Sequence, residues 1–269
     1  MASRRDILRD GLQNLDRLSR RERGPESRGR SALEDLEGVV ERGDVLVLER
    51  DADHMMSKSA RSRLMERTLR AKEYVAESDD VDEDIRALIM TPDSVLFLDT
   101  ETTGLGSAMV FLLGVMRVSD EGIALRQVFA RDYREERALL GRWSDMLGAA
   151  GMLASFNGKS FDMPVLRDRL GYHGMEAPRE PAHVDLLHAS RRRWKGVLPD
   201  CRLQTLEWSV CGRRRSGDIP GDEIPAAYHH FVRTGDSSDM LSVLHHNALD
   251  LLTLADLAAA LVLPDDELN

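Results

Sequence analysis

The chain has 269 residues, with 37 Lys and Arg against 47 Asp and Glu, and its formal net charge of −10 argues against indiscriminate coating of DNA. Only two cysteines, Cys201 and Cys211, are present, which excludes a cysteine zinc site and a disulfide framework and fits a reducing compartment. No apolar stretch is long enough to span a bilayer and the first residues lack the apolar core of a signal peptide, so the expected location is cytoplasmic, with no membrane partner.

Residues 1–31 read as a basic, flexible N-terminal arm. Nine Arg face five acids over residues 1–30, and Leu8, Leu12, Leu15 and Leu18 fall at roughly helical spacing. Residues 32–91 read as a small N-terminal extension, with a short helix, a strand at Val45–Leu48 and a charged stretch from 57 to 90. Its run from Glu77 to Asp84 is acidic at six of eight positions and reads as a solvated linker or helix face. The main domain is expected over residues 92–265. There Val95–Leu98 is a buried strand, Met109–Val118 a second, and Ile123–Ala130 a third, with Glu121-Gly122 at the hairpin turn. A helix from Tyr133 to Ala150, a strand at Met152–Phe156, a helix at Phe161–Leu170 and a brief strand at His183–Leu186 follow. Beyond that the pattern is helical, ending with a long helix from about Ser238 to Leu263. Three meandering strands followed by strand–helix alternation describe an α/β mixed sheet flanked by helices.

Asp99-Thr-Glu101 carries the most chemistry. On a strand, alternate residues share a face, so Asp99 and Glu101 project together from the end of an apolar run. Two like charges at the edge of a core repel and lose hydration, and a hard divalent cation offsets both penalties. Asp162 follows Asn157-Gly-Lys-Ser-Phe161 where a strand passes into a helix, the usual ligand edge of an α/β sheet. Taken alone, Asp162 reads better as a helix-start acid than as a metal ligand. His245, His246 and Asp250 lie on the last helix, and a His four residues before an Asp shares its face. Asp185, after another short strand, is a weaker candidate.

Taken together, these stations resemble the DEDD (DnaQ-like) exonuclease family of ribonuclease H-like fold, and within it the bacterial group typified by YprB. The resemblance rests on Asp99-Thr-Glu-Thr-Thr-Gly-Leu105, Asn157-Gly-Lys-Ser-Phe-Asp162, Gly217-Asp-Ile-Pro-Gly221 with Pro225 and Tyr228, and His246-Asn-Ala-Leu-Asp250, and covers about residues 33–262. It implies a ribonuclease H-like sheet and a metal-dependent 3′–5′ exonuclease. Asp99, Glu101, Asp162 and Asp250 would hold two Mg²⁺ or Mn²⁺ ions. His246 or His245 would be the base. A straight helix favours His246, four residues from Asp250, over His245 at the family's wider spacing. Thr102, Thr103, Gly104 and Leu105 would hold the terminal nucleotide, with Asn157 and Lys159 nearby. Phe161 would either stack on a base or join the core.

Substrate guidance is expected from basic clusters. Residues 183–215 hold seven Arg and one Lys against three acids, concentrated at Arg191, Arg192, Arg193 and Lys195 beside Trp194, and at Arg213–Arg215. Basic clusters with an aromatic suit single-stranded DNA or RNA, and 3′ ends are the expected substrate; the bland alternative is a solvated helix end with Trp194 packed inward. The competing functional readings are a ribonuclease H-type endonuclease and a catalytically silent nucleic-acid-binding or assembly protein.

Overall fold

The computed structural model describes residues 31–106, 108–215 and 217–264. The leucine-spaced arm segment around Leu8–Leu18 lies outside the described residues. A short helix α1 (Ser31–Glu34) leads into β1 (Val39–Glu41) and β2 (Leu46–Asp51). Helices α2 (Ala52–Met55), α3 (Lys58–Glu77) and α4 (Glu83–Met90) follow, and then β3 (Val95–Thr102), β4 (Val110–Ser119) and β5 (Gly122–Phe129). The remainder is α5 (Glu136–Gly148), β6 (Met152–Ser155), α6 (Asp162–Tyr172), β7 (Ala182–Asp185), α7 (Leu186–Trp194), α8 (Leu203–Ser209), α9 (Ile224–Thr234) and α10 (Ser238–Ala260).

The seven strands form one mixed sheet in the order β1-β2-β5-β4-β3-β6-β7. β3, β6 and β7 run parallel, while β3-β4-β5-β2-β1 is antiparallel. This is the α/β arrangement expected from the sequence: a hairpin-linked meander, then right-hand neighbours of β3 reached by crossover helices. Side chains alternate across β3. Val95 and Phe97 enter one core with α3, α4, α7 and α10, whereas Leu96 and Leu98 enter another with α5, α6 and α9. Each fully buried Leu or Phe contributes roughly 1.5–3 kcal/mol, so these two layers are what fixes the sheet.

The strand β1 was not expected, since three residues of Val-Val-Glu carry too little pattern to read. The charged stretch after residue 57 is also more ordered than its composition suggests. Ser57 caps α3 by accepting from the Ala60 N–H at 3.2 Å, and Leu64, Ala71 and Val75 give the helix a narrow buried stripe. The acidic run supplies the next cap: Asp82 accepts from the backbones of Asp84 and Ile85, with Glu83 and Asp84 in the first turn of α4.

α10 is buried almost all round, because it lies between the sheet and α3, α8 and α9. It touches the sheet where Gly114 of β4 lacks a side chain. A Cβ there would collide with the Asn247 amide, so glycine is what lets the helix sit down on the strand. That close approach brings the middle of α10, around His246–Asp250, against the carboxyl end of β3.

Candidate active site

β3 continues past its apolar run through Asp99, Thr100 and Glu101, pairing Asp99 with Gly114 and Glu101 with Leu112. Asp99 and Glu101 therefore share the α10 face, while Thr100 turns the other way. Thr100 Oγ1 donates to Asp162 Oδ1 at 2.6 Å, fixing the first residue of α6 beside the strand. From α10, Asn247 Nδ2 donates to Asp99 Oδ2 at 2.8 Å, and Gln127 Nε2 donates to Asn247 Oδ1 at 2.8 Å. This buried relay sets the rotamer of Asp99.

The turn leading into Asp162 is held by Asp185. Its carboxylate accepts from the Asn157 N–H at 2.8 Å, the Lys159 N–H at 3.2 Å and the Leu187 N–H at 3.1 Å. Asn157 takes a left-handed φ of 65°, and a Cβ at Gly158 would overlap the Ser155 hydroxyl. Asp185, the weakest of the sequence candidates, is thus a scaffold that caps α7 and shapes the loop.

The last station is more elaborate than the sequence suggested. His246 lies on the same face of α10 as Asp250, with Nε2 3.4 Å from Asp250 Oδ2 and Nδ1 2.9 Å from Asp218 Oδ2. Arg215 donates to Asp250, to Asp218 Oδ2 at 3.0 Å and to Glu207 Oε2 at 2.6 Å, with its side chain only 8% exposed. Asp218 Oδ1 is buried with no hydrogen-bond partner among the described residues, so the cluster retains unused acceptor capacity. Asp218, Glu207 and Asn247 are neighbours of the acids that residue-by-residue reading did not single out, and Arg215, expected only in a substrate-guiding basic cluster, is instead bound to these acids. The only signal for them was the Gly217–Gly221 motif and the His246-Asn247 pair.

The electrostatics follow from this crowding. Burial, then Asp250, Glu101 and Asp162, push the Asp99 carboxyl well above its ordinary range. Glu101 is pushed up to about 8 by burial together with Asp250, Asp162 and Asp218, against the pull of His246. Burial raises Asp162 to about 6, with the Thr100 bond opposing. Burial also acts on Asp250, but His246 and Arg215 overcome it and hold that carboxyl low. Burial lowers His246 less than Asp218 and Asp250 raise it, leaving it at about 11; at His245 desolvation outweighs the pull of Asp218 and the ring falls to about 4.

Four carboxylates from three elements thus influence one another within one cleft, and hard oxygen donors of this kind fit Mg²⁺ or Mn²⁺. Among the described residues no three His, Cys, Asp or Glu side chains are already drawn into coordinating geometry. At Asp250 the carboxylate is already engaged by Arg215 and His246. The donor set fits, with Arg215 as the cation that a metal would have to compete with.

Around the acids, Thr102 Oγ1 donates to Gly104 O at 2.7 Å and the Thr103 N–H to Met109 O at 2.9 Å, giving a closed turn. Leu105 is 93% exposed and Phe161 57% exposed, so Phe161 is not a core residue. Lys159 is exposed on the same loop. Of the arginines expected to guide substrate, Arg215 binds Asp250, whereas the 191–193 cluster lies elsewhere. Arg193 donates to Ala260 O and Leu263 O, ten and more residues beyond Asp250 along α10, or about 15 Å of helix. Arg192 pairs with Asp82 at 2.7 Å, and Trp194 is buried. The structure does not bring Arg191, Arg192 or Arg193 to the acids. Trp194 packs inward because the C-terminal end of α7 closes over the end of α10. A separate cavity of about 600 Å³ lies on the far sheet face, between Leu96, Val115 and Met146, and none of the four acids lines it.

A family model matches residues 96–262, more than half of the chain and all of the acid stations. The chain belongs to the RNase_H superfamily. Among curated proteins, this RNase H-superfamily chain is 35% identical over 170 residues to an uncharacterized protein, YprB, of Bacillus subtilis (strain 168). The match takes in 61% of this chain and 41% of YprB, so the chain spans about two fifths of that relative's length. Similar solved structures include the family B DNA polymerase of Pyrobaculum calidifontis, at 18% identity and a TM-score of 0.49, over 61% of this chain and 24% of the polymerase. E. coli exonuclease I with a dA16 oligonucleotide matches at 21% identity and a TM-score of 0.36, over 56% of this chain and 42% of the exonuclease.

Proposed function

We propose that this RNase H-superfamily domain is a metal-dependent 3′–5′ exonuclease that hydrolyses phosphodiester bonds of single-stranded DNA or RNA. The observation that carries the reading is the convergence of Asp99, Glu101, Asp162 and Asp250 from β3, α6 and α10, with His246 beside them. Two Mg²⁺ or Mn²⁺ ions held by those four carboxylates would neutralise the approaching phosphate and acidify a water.

The chain's own residues do the rest. His246 presents Nε2 toward Asp250 while Asp218 holds Nδ1, so the ring is oriented to take the proton of an attacking water at Nε2. Asp218 and Asp250 raise His246 to about 11 despite their pairing with Arg215, so further neutralisation of Asp250 by a bound cation would bring His246 down toward the range of a base. The closed Thr102–Gly104 turn would meet the terminal nucleotide, and exposed Leu105 and Phe161 offer apolar contact to its base.

The test is incubation of 5′-labelled single- and double-stranded DNA and RNA with the protein in Mg²⁺, Mn²⁺ or chelator. A ladder shortening from the 3′ end, present only with metal, is expected. Asp99→Ala should lower the rate on the order of 10²- to 10³-fold or more while leaving the circular dichroism spectrum unchanged. Full activity of that variant would remove the site. Internal cuts in circular substrates would make the protein an endonuclease, and binding without cleavage would make it an assembly factor.

A further inference from the structure

We infer that Trp208 and Arg214 form a stacking platform for a single-stranded polynucleotide at the rim of the four-acid cleft; the inference rests on the nuclease reading and extends it by locating the strand's path. The platform is a by-product of how the cleft is built. Glu207 points inward to Arg215, and Arg215 reaches Asp250. The backbone N–H of Arg213 donates to Glu207 O at 3.1 Å, so the 213–215 segment is tied alongside the end of α8.

Within that segment the side chains alternate. Arg213 turns in to Thr253 and Asp256 of α10, at 3.2 and 3.5 Å, and Arg215 turns in to Asp250. Arg214 between them faces out. Its guanidinium lies over the Trp208 ring, 4.3 Å from the centroid. Trp208 follows Glu207 directly and is 54% exposed, whereas Trp143 and Trp194, the other two tryptophans, are buried. An indole and a guanidinium plane held together in solvent offer one face to a base and one cation to a phosphate, a combination indifferent to base identity. Exposed Leu105 and Phe161 follow the β3 acids and precede Asp162, and offer further apolar contact surface. The neutral alternative, a surface Trp merely shielded by its neighbour, does not explain why the pair is chain-adjacent to Arg215, which binds Asp250, and to Glu207, which binds Arg215.

Because Trp208 is the one exposed tryptophan, its fluorescence reports the contact directly. The full chain is titrated in Mg²⁺ with a short oligothymidylate carrying cleavage-resistant phosphorothioate linkages, and acrylamide quenching is measured with and without it. Bound strand should shield Trp208 from acrylamide. Trp208→Ala should weaken binding roughly 5- to 150-fold, the range for one lost base stack, with Trp208→Phe recovering much of it. Arg214→Ala should flatten the log–log salt dependence by about 0.7, and Arg142→Ala, on the far face, should leave it unchanged. If the parent binds but Trp208→Ala binds equally well, or the quenching is unaltered, the platform is wrong while the nuclease reading stands. If the parent binds no strand at all, the reading and the platform fall together.

Discussion

The two arginine triplets, 191–193 and 213–215, have the same composition and opposite fates. The first ends α7, where Arg191 and Arg192 are exposed, Arg192 pairs with an Asp82 that is itself exposed, and Arg193 caps the carbonyls at the end of α10. The second lies in an extended segment crossing α10, and two of its three guanidinium groups are drawn into buried acids. Arginine goes inside where carboxylates are already buried for another reason, because each then removes the desolvation penalty of the other. Here that reason is the acid cleft itself. The arginine that meets the acids is therefore found by asking where buried acids are, not where positive charge is dense.

The sharpest way to break this comparison is to remove Arg215. Arg215→Ala leaves Glu207, Asp218 and Asp250 without their shared cation, and in chelator should cost about 3–5 kcal/mol in urea unfolding. A loss below about 1 kcal/mol would place that cluster with the solvated pairs. Buried Glu136 offers an intermediate case on the other face. It accepts from the Val110 N–H at 2.9 Å, Arg169 Nε at 2.8 Å and His173 Nε2 at 2.8 Å. Burial pushes its carboxyl up, but these bonds prevail and hold it below its ordinary 4.5. A depressed value in the folded state means that the stabilisation is complete above 4.5 and disappears as pH falls through the folded value. Glu136→Gln should accordingly lose about 1–3 kcal/mol at neutral pH and little in acid, read as a flattened acid limb of stability against pH. The smallest effect belongs to the exposed triplet. Arg192→Ala should change unfolding free energy by about 0.2–1 kcal/mol, and a larger change would mean that α7 depends on its pair with Asp82.

Much of this protein was legible locally. An apolar run ending in alternating acids specifies a buried strand with two carboxylates on one face, and the strand–turn–helix at Asn157–Asp162 specifies an acid at the carboxyl edge of the sheet. The i, i+4 spacing of His246 and Asp250 specifies a shared helix face, since all three patterns depend only on the periods of strand and helix. Tertiary structure alone decided what those patterns meet. Nothing near Gly114 in sequence says that Asn247 must rest on it, nothing in residues 213–215 says which guanidinium turns inward, and Trp194 and Trp208 differ in exposure only because one faces the end of α10 and the other does not. Charge partners are chosen by burial and through-space distance, both of which exist only once β3, α8 and α10 have packed.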